Sequence, residues 1–195
     1  MRGQMLDTSK VIEIRWHGRG GQGVVTSAEL VAQAAIAEGK YAQAFPSFGP
    51  ERRGAPVAAF VRISAKEPIR VRSEIANPDV VVVFDARLIE TASVLAGLKE
   101  KGLLVLNTDE PISEIEKRLD SQVELAVVDA SKIALETLGL PIVNTTMVGA
   151  LVKATGVIKL DSLVEPLRHR FGRIAERNID AMKRAFSETL VKTKV

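Results

Sequence analysis

The sequence of 195 residues contains no cysteine. This absence excludes disulfide bonds, thiolate zinc sites and cysteine-ligated iron–sulfur clusters from the chain itself. Histidine is nearly absent as well. His17 and His169 lie far apart in the sequence, so we predict no histidine-rich metal centre and assign no metal site. Any redox metal that the protein uses must therefore be held by a partner.

Long apolar stretches are also missing. A run such as Val80 to Phe84 is far shorter than the ~20 residues of a membrane-spanning helix, and residues 1–10 lack the apolar core of a signal peptide. We therefore expect a cytoplasmic protein without membrane contact. Because 46% of the residues are apolar, we expect one α/β domain over residues 1–195, with residues 1–10 as a flexible leader.

Few features of the sequence favour nucleic-acid binding. The formal net charge is only +3, Trp and Tyr each occur once, and no recognition helix is evident. The basic residues are concentrated between Arg52 and Arg72, where Glu67 is the only acidic residue. This concentration favours a local anionic partner of another kind.

Strand and helix patterns alternate along most of the chain. The predicted strands are Val11–Trp16, Val57–Ile63, Ile69–Val71, Asp79–Phe84, Leu103–Leu106 and Val123–Val128. The predicted helices are Val24–Glu38, Leu88–Leu98, Ile112–Leu119, Ala130–Leu138, Thr145–Ala154, Asp161–Phe171 with Asp161 as N-cap, and Ile174–Val191. The pattern predicts a Rossmann-like α/β fold, which has a mostly parallel sheet with helices on both faces, a hairpin insertion around Lys66 to Pro68, and C-terminal helices.

The first strand leads into a glycine-rich turn that opens the first helix. Gly18-x-Gly20-x-x-Gly23 fits the dinucleotide-binding fingerprint in spacing and position. Glycines let the backbone approach a phosphate, which the free N–H groups of a helix N-terminus attract, and Arg19 favours an anion here. However, the acidic residue that binds the ribose of a nicotinamide or flavin cofactor is missing. The alternative is that the glycines only allow tight packing between strand and helix.

Three other sites allow a functional and a structural interpretation. Adjacent Arg52 and Arg53 suit phosphate or carboxylate recognition, but they could also be a solvated pair beside core phenylalanines. His17 could donate to a phosphate or act in acid–base chemistry, although a structural role is the alternative. The segment from Asn144 to Thr146 is interpreted as a cap of the following helix. None of these residues is assigned a catalytic role.

Two long motifs resemble a known family. Arg15-Trp-His-Gly-Arg-Gly-Gly-Gln-Gly-Val24 and Lys40-Tyr-Ala-Gln-Ala-Phe-Pro-Ser-Phe-Gly-Pro-Glu-Arg-Arg-Gly-Ala-Pro-Val57 are similar to the gamma subunit of pyruvate:ferredoxin and 2-oxoisovalerate:ferredoxin oxidoreductases. The segments from Asp79 to Asp85 and from Asn144 to Leu151 continue the similarity, which covers nearly the entire chain.

The resemblance implies an assembly of alpha, beta, gamma and delta subunits. Such an assembly oxidatively decarboxylates a 2-oxoacid, transfers the acyl group to coenzyme A and passes electrons to ferredoxin. Thiamine diphosphate would lie between alpha and beta, and the iron–sulfur clusters on beta and delta. The lack of cysteine agrees with that division, and the chain is expected to be inactive alone.

From this resemblance we derive two sets of candidate residues. For coenzyme A or another phosphate, the set is Gly18, Arg19, Gly20, Gly21, Gln22, Gly23, Arg52 and Arg53. For contact with partner subunits, the set is Phe45, Phe48, Gly49, Pro50, Glu51, Arg52, Arg53 and Gly54. Two alternatives to the subunit hypothesis are a self-sufficient nicotinamide-dependent oxidoreductase and a small nucleotide-binding regulatory module.

Overall fold

The computed structural model describes residues 10–47, 54–119 and 123–192. A seven-stranded sheet with the order β2-β3-β1-β4-β5-β6-β7 forms its centre. The strands are β1 (Ile12–Arg19), β2 (Tyr41–Pro46), β3 (Pro56–Ser64), β4 (Val80–Val83), β5 (Leu103–Asn107), β6 (Glu124–Val128) and β7 (Leu190–Lys192). Strands β1, β4, β5 and β6 are parallel neighbours, whereas the β1–β3, β2–β3 and β6–β7 pairs are antiparallel.

Helices cover both faces of this sheet. They are α1 (Val24–Ala37), α2 (Leu88–Thr91), α3 (Ile112–Leu119), α4 (Ala130–Leu138), α5 (Asn144–Thr155), α6 (Val164–Phe171) and α7 (Ala175–Glu188). Two 3₁₀ turns, Leu160–Leu163 and Gly172–Ile174, precede α6 and α7. Helices α1, α4, α5, α6 and α7 pack on one face, and α2 and α3 pack on the other. The predicted α/β class is confirmed.

Strand β4 separates the two cores. Its side chains alternate between the faces, so that Val80 and Val82 belong to the core beneath α1 and α5, while Val81 and Val83 belong to the core beneath α2 and α3. All four valines are fully buried. An uninterrupted apolar run is what a strand covered on both faces requires, and the prediction of a central strand here is confirmed.

A hairpin is present, but β2 and β3 form it, and the prediction of a hairpin around Lys66 to Pro68 is wrong. Strand β3 pairs with β2, from Tyr41 opposite Ser64 to Pro46 opposite Ala59, and Ile69–Val71 is not a strand. The latter segment is irregular, and the Arg62 guanidinium donates to the Val71 carbonyl at 3.2 Å. That carbonyl therefore has a side-chain partner in place of a neighbouring strand.

The predicted helix Leu88–Leu98 is too long, because α2 ends at Thr91. Ser93 and Gly97 both have positive φ angles, which a helix does not accommodate. A Cβ atom at Gly97 would lie 2.1 Å from the Ala76 carbonyl oxygen. The chain therefore turns here in close contact with the irregular segment that precedes β4.

The C-terminal predictions also need correction. The helix predicted to reach Val191 ends at Glu188, and the following residues form β7 against β6. Asp161 does not act as the predicted N-cap, since it lies inside the first 3₁₀ turn, and α6 has no side-chain cap at Leu163. Apart from Lys10, the predicted leader lies outside the described residues.

Candidate functional site

The glycine turn lies at the point where the connecting helices change from one face of the sheet to the other. Helix α1 follows β1 on one face, whereas α2 and α3 connect the parallel strands β4, β5 and β6 on the opposite face. In open α/β sheets, such a switch point creates a crevice at the carboxyl ends of the strands. The crevice between β1 and β4 is therefore a candidate ligand site.

Internal hydrogen bonds hold the glycine turn in shape. Gln22 donates from its backbone N–H to the Arg19 carbonyl at 3.0 Å, and its side-chain Oε1 accepts from the Arg19 N–H at 2.7 Å. Gly20 donates to the Ala55 carbonyl at 2.9 Å. The backbone N–H groups of Arg19, Gly20 and Gln22 thus already donate hydrogen bonds within the protein.

The space around the Cβ position differs among the glycines of the turn. A Cβ atom at Gly18 would lie 2.4 Å from Cγ2 of Val24, and one at Gly23 would lie 2.9 Å from Cβ of Asn144. These contacts support the packing interpretation at both positions. Gly21 has φ +95 and no heavy atom within 4 Å of its Cβ position, so it borders open space.

The prediction that the segment from Asn144 to Thr146 caps the following helix is wrong. Asn144 is the first residue of α5, Val143 is its N-cap, and no side chain makes the N-cap hydrogen bond. The Asn144 Oδ1 instead accepts from the Thr145 N–H at 2.8 Å, and the Asn144 carbonyl accepts from the Ser27 hydroxyl. Its main role is therefore to join the starts of α1 and α5.

A three-residue ion cluster lies beside the turn. Arg19 Nε donates to Oδ2 of Asp85 at 2.7 Å, and Arg87 donates from Nε to Oδ1 and from Nη2 to Oδ2, both at 2.9 Å. The bonds from Arg87, together with those from Arg19, lower the pKa of Asp85 from 3.8 to about 2, although burial of the carboxyl opposes them. In this structure the anion that Arg19 binds is an internal carboxylate.

Next to this cluster is a cleft of about 580 Å³ at the carboxyl ends of β4, β5 and β6. Polar side chains dominate its lining. These are Gln22, Asp85, Arg87, Asn107, Thr108, Asp109, Glu110, Asp129, Ser131 and Lys132. Both carboxylates and cationic groups line it, so the cleft suits a polar ligand better than an apolar one.

Asn107 fixes the floor of the cleft. Its Nδ2 donates to the Phe84 carbonyl at 2.9 Å and to the Ser131 hydroxyl at 3.0 Å. Asp129 caps α4 by accepting from the Lys132 N–H at 2.9 Å. These bonds join the ends of β4, β5 and β6, so the floor is rigid.

The sequence did not identify this cleft. Its residues have no familiar spacing, but Asp85, Asn107 and Asp129 each lie within two residues of the end of a buried parallel strand. The carboxyl ends of parallel strands meet at one edge of the sheet, so this recurrence is a signal that sequence reasoning could have used.

His17 is largely buried and is hydrogen-bonded to Arg15. Arg15 donates from Nε to Nε2 of His17 at 3.0 Å. Burial, together with the charge of Arg15, lowers the pKa of His17 to about 4. The imidazole is therefore neutral at physiological pH and already accepts a hydrogen bond, which supports the structural interpretation.

Arg15 itself is buried and organises two neighbouring segments. Its guanidinium donates to the carbonyls of Ile75, Ala76, Val94 and Ala96, over distances from 2.6 to 3.3 Å. Burial lowers its pKa from the usual value for arginine. The residue holds the chain before β4 against the turns that follow α2.

The two predicted motifs meet at the end of the second one. Gly54 donates to the Gly20 carbonyl at 3.2 Å, and its own carbonyl accepts from Arg19 at 3.3 Å. The backbone that directly follows Arg53 therefore lies against the glycine turn. The other predicted residues of this motif, Phe48, Gly49, Pro50, Glu51, Arg52 and Arg53, lie outside the described residues.

Phe45 requires a correction as a predicted interface residue. Its side chain is only 3% exposed and packs against Phe60 with ring centroids 5.3 Å apart. A side chain buried in this way belongs to the core of the chain rather than to a contact surface. Tyr41 lies on the same face of β2 and is exposed, so the side-chain pattern along the strand does not indicate which of the two residues is buried.

The described residues contain neither a metal-binding cluster nor a membrane-spanning helix. Within residues 10–47, 54–119 and 123–192, no group of three or more His, Asp or Glu side chains is placed to hold a metal ion. In the same part of the chain, none of the helices combines the length and apolar character needed to cross a membrane.

Comparisons with known proteins give a consistent result. Residues 13–188 match the sequence model of the family described as Pyruvate ferredoxin/flavodoxin oxidoreductase. The chain is 52% identical over 183 residues to the pyruvate/ketoisovalerate oxidoreductases common subunit gamma of Thermococcus litoralis, covering 93% of this chain and 98% of that protein. It is 49% identical over 179 residues to pyruvate synthase subunit PorC of Methanothermobacter thermautotrophicus, covering 91% and 96%.

A solved structure shares the fold. The crystal structure of the pyruvate oxidoreductase subunit PORC from Thermotoga maritima superposes with a TM-score of 0.83 at 38% sequence identity. The match covers 94% of this chain and 99% of that one. The similarity therefore includes the turn, the cleft and the C-terminal helices together.

Proposed function

Because the chain belongs to the pyruvate ferredoxin/flavodoxin oxidoreductase family as a gamma (PorC) subunit, we propose that it completes the coenzyme A-dependent step of a multisubunit enzyme. The chain is a subunit of a 2-oxoacid:ferredoxin oxidoreductase of the pyruvate synthase type. In our proposal, alpha, beta and delta subunits accompany it, and the assembly decarboxylates a 2-oxoacid, forms an acyl-coenzyme A and reduces ferredoxin.

The observation that carries this proposal is the extent of the match. A common subunit gamma covers 93% of the chain at 52% identity, so the similarity is not confined to the glycine turn. The side chains available agree with a subunit that leaves the redox chemistry to others. Without cysteine, the chain offers no thiolate ligand for an iron–sulfur cluster, and we place thiamine diphosphate and the clusters on partner subunits.

We further propose that the glycine turn, with Arg52 and Arg53, binds a phosphate of coenzyme A or lines its access route. Open space at Gly21 and the position of Gly54 against Gly20 support this assignment. Arg19 and Arg87 share one carboxylate, Asp85, which leaves the cluster with a net positive charge beside the turn.

The assembled enzyme provides the test. We expect the double variant Arg52→Ala/Arg53→Ala to raise the KM for coenzyme A about tenfold or more, since each lost charge-assisted hydrogen bond is worth ~1.5–3 kcal/mol. The KM for the 2-oxoacid should not change. Exposed Arg70 and Arg72 lie in the same basic stretch, so Arg70→Ala/Arg72→Ala is the matched control.

An unchanged KM for coenzyme A in Arg52→Ala/Arg53→Ala would remove the coenzyme A assignment. The motif would then be interpreted as a subunit contact, and a loss of assembly in the same variant would support that interpretation. The subunit proposal has a separate test, since it requires that omission of this chain abolish acyl-coenzyme A formation by the remaining subunits.

A further inference from the structure

A second concave surface lies on the helical face, away from the ion cluster. It is formed by the α4–α5 connection and by the segment that joins α6 to α7, and its volume is about 180 Å³. We call it the helical groove. It is lined by Leu138, Leu140, Ile142, Asn144, Phe171, Ile174, Arg177 and Asn178.

The helical groove concentrates exposed aliphatic side chains. Leu140, Ile142 and Ile174 line it and are 56%, 40% and 53% exposed. Single exposed apolar residues are ordinary on a protein surface, but a contiguous group around a concavity is typical of a contact with another protein.

The groove is a rigid part of the fold. Gly139 ends α4 with φ +73, and Ile142 donates to the Leu140 carbonyl at 2.9 Å, which fixes the short connection. Asn178 in the floor donates to the Ile174 carbonyl at 2.9 Å and accepts from the Thr145 hydroxyl. Since these polar atoms already have partners, a bound molecule would make apolar contacts with the groove and ionic contacts with its rim.

The rim is basic. Arg177 lines the groove, and Arg173 directly precedes the lining residue Ile174. Both arginines are exposed, and neither makes an ion pair within the part of the chain that the structure describes. The nearby carboxylates Glu165 and Glu176 are both paired with Arg168. A ligand that covers the apolar floor would therefore meet unpaired positive charge at one margin, which acidic residues would complement.

The groove is continuous with the candidate site. Asn144 lines it and also packs against Gly23 of the glycine turn. Along the α4–α5 connection, Leu140 and Ile142 face the groove while Pro141 and Val143 line the cleft. A protein bound in the groove would thus contact the same connection that forms one wall of the cleft.

We propose that the helical groove is a docking surface for another subunit of the oxidoreductase. The occupant is a segment with two or three aliphatic or aromatic side chains at its centre and Asp or Glu residues at the edge that meets Arg173 and Arg177. Apolar anchors in a desolvated pocket with an arginine at the margin are the usual composition of an interface centre. This inference rests on the proposed function, since it needs the assembly.

The test uses the full complex, produced by co-expression of all its subunits with a tag on this chain. The variant Leu140→Glu/Ile174→Glu places two charges in the groove, and both positions are exposed, so folding is retained. Ile36→Glu/Val71→Glu is the matched control, because those side chains are 56% and 57% exposed elsewhere on the surface. We expect the groove variant to retain about tenfold less of the partner subunits than the control.

A photoreactive benzoylphenylalanine at position 140, with position 36 as its control, identifies the occupant. We expect a crosslink to a partner-subunit peptide that contains aliphatic or aromatic residues and carboxylates, and an Arg177→Glu variant should weaken retention. Equal retention of partners by the groove variant and the control would overturn the groove proposal while leaving the proposed function intact. A crosslink to a second copy of this chain would also overturn it. If the unaltered chain retains no partner, the proposed function fails, and the groove proposal fails with it.

Discussion

Arg19 Nε lies 2.7 Å from Asp85 Oδ2, so the arginine inside the glycine turn is tied to the end of the neighbouring parallel strand. The Asp85 side chain is only 6% exposed and receives a second arginine, Arg87. One carboxylate shared between two guanidinium groups connects β1 to β4 at the switch point. This connection sets the shape of the turn and the charge beside it.

The first prediction concerns acid stability. Because the pKa of Asp85 is lowered from 3.8 to about 2, its contribution to stability is complete above pH ~4 and is lost as the pH falls toward 2. We expect Asp85→Asn to cost about 2 kcal/mol of unfolding free energy at neutral pH, the scale of a buried charge-assisted bond.

Chemical denaturation at several pH values measures this effect, with the exposed residue Asp180 as the control in an Asp180→Asn variant. The difference between the unaltered chain and Asp85→Asn should shrink between pH 4 and pH 2. A difference that stays constant over that interval would contradict the ionic role of Asp85.

The second prediction separates backbone strain from packing at the turn. Gly23 and Gly39 have nearly equal φ angles of +81 and +79, but only Gly23 has a close neighbour, Asn144. Gly39→Ala should cost about 1–2 kcal/mol from its left-handed backbone alone. Gly23→Ala should cost about 1–3 kcal/mol more, because a Cβ atom must also displace Asn144. Equal costs in urea unfolding would contradict the packing role of Gly23.

The third prediction concerns Arg15. Its guanidinium donates hydrogen bonds to four carbonyls, which the smaller ammonium of lysine cannot reach together. We expect Arg15→Lys to destabilise the chain by about 2–4 kcal/mol, since buried carbonyls lose their donors. Arg72→Lys, at an exposed position, should change the unfolding free energy by less than about 0.5 kcal/mol. A similar effect of the two substitutions would show that the Arg15 network is not important for stability.

The fourth prediction is that the chain does not bind a nicotinamide cofactor. In a dinucleotide-binding fold, an acidic residue at the end of the second strand binds the ribose. Here the next strand, β2, ends at Pro46 and is separated from β1 by β3. Calorimetric titration of the purified chain with NADH and NADPH should therefore give no saturable heat. Tight binding of either would restore the hypothesis of a self-sufficient oxidoreductase.

The sequence predicted the parts of the fold that local pattern determines. The all-apolar run of β4 and the glycine turn between β1 and α1 are visible without any tertiary information. Strand β2 was missed because Tyr41 to Pro46 lies at an edge of the sheet, half-buried and next to turn-forming residues. The chain after α2 contacts Arg15, which donates to the Val94 carbonyl from 79 residues away in sequence, and local pattern does not reveal that contact.

The cleft was harder to predict than the turn for the same physical reason. The fingerprint from Gly18 to Gly23 is contiguous, whereas Asp85, Asn107 and Asp129 are brought together only by the parallel order of three strands. Arg19 was expected to meet an external anion, and its internal partner is 66 residues away in sequence. Spacing alone does not identify such a pair.

The role of the chain as a subunit is tested most simply by purifying it, with an affinity tag, from its native cells. The eluate is assayed for coenzyme A-dependent reduction of a ferredoxin substitute, driven in turn by pyruvate and by branched 2-oxoacids. We expect thiamine-binding and iron–sulfur subunits to co-purify together with that activity, and the preferred substrate to identify the oxoacid. Recovery of the chain alone and without activity would contradict the conclusion that it works as a subunit of this enzyme.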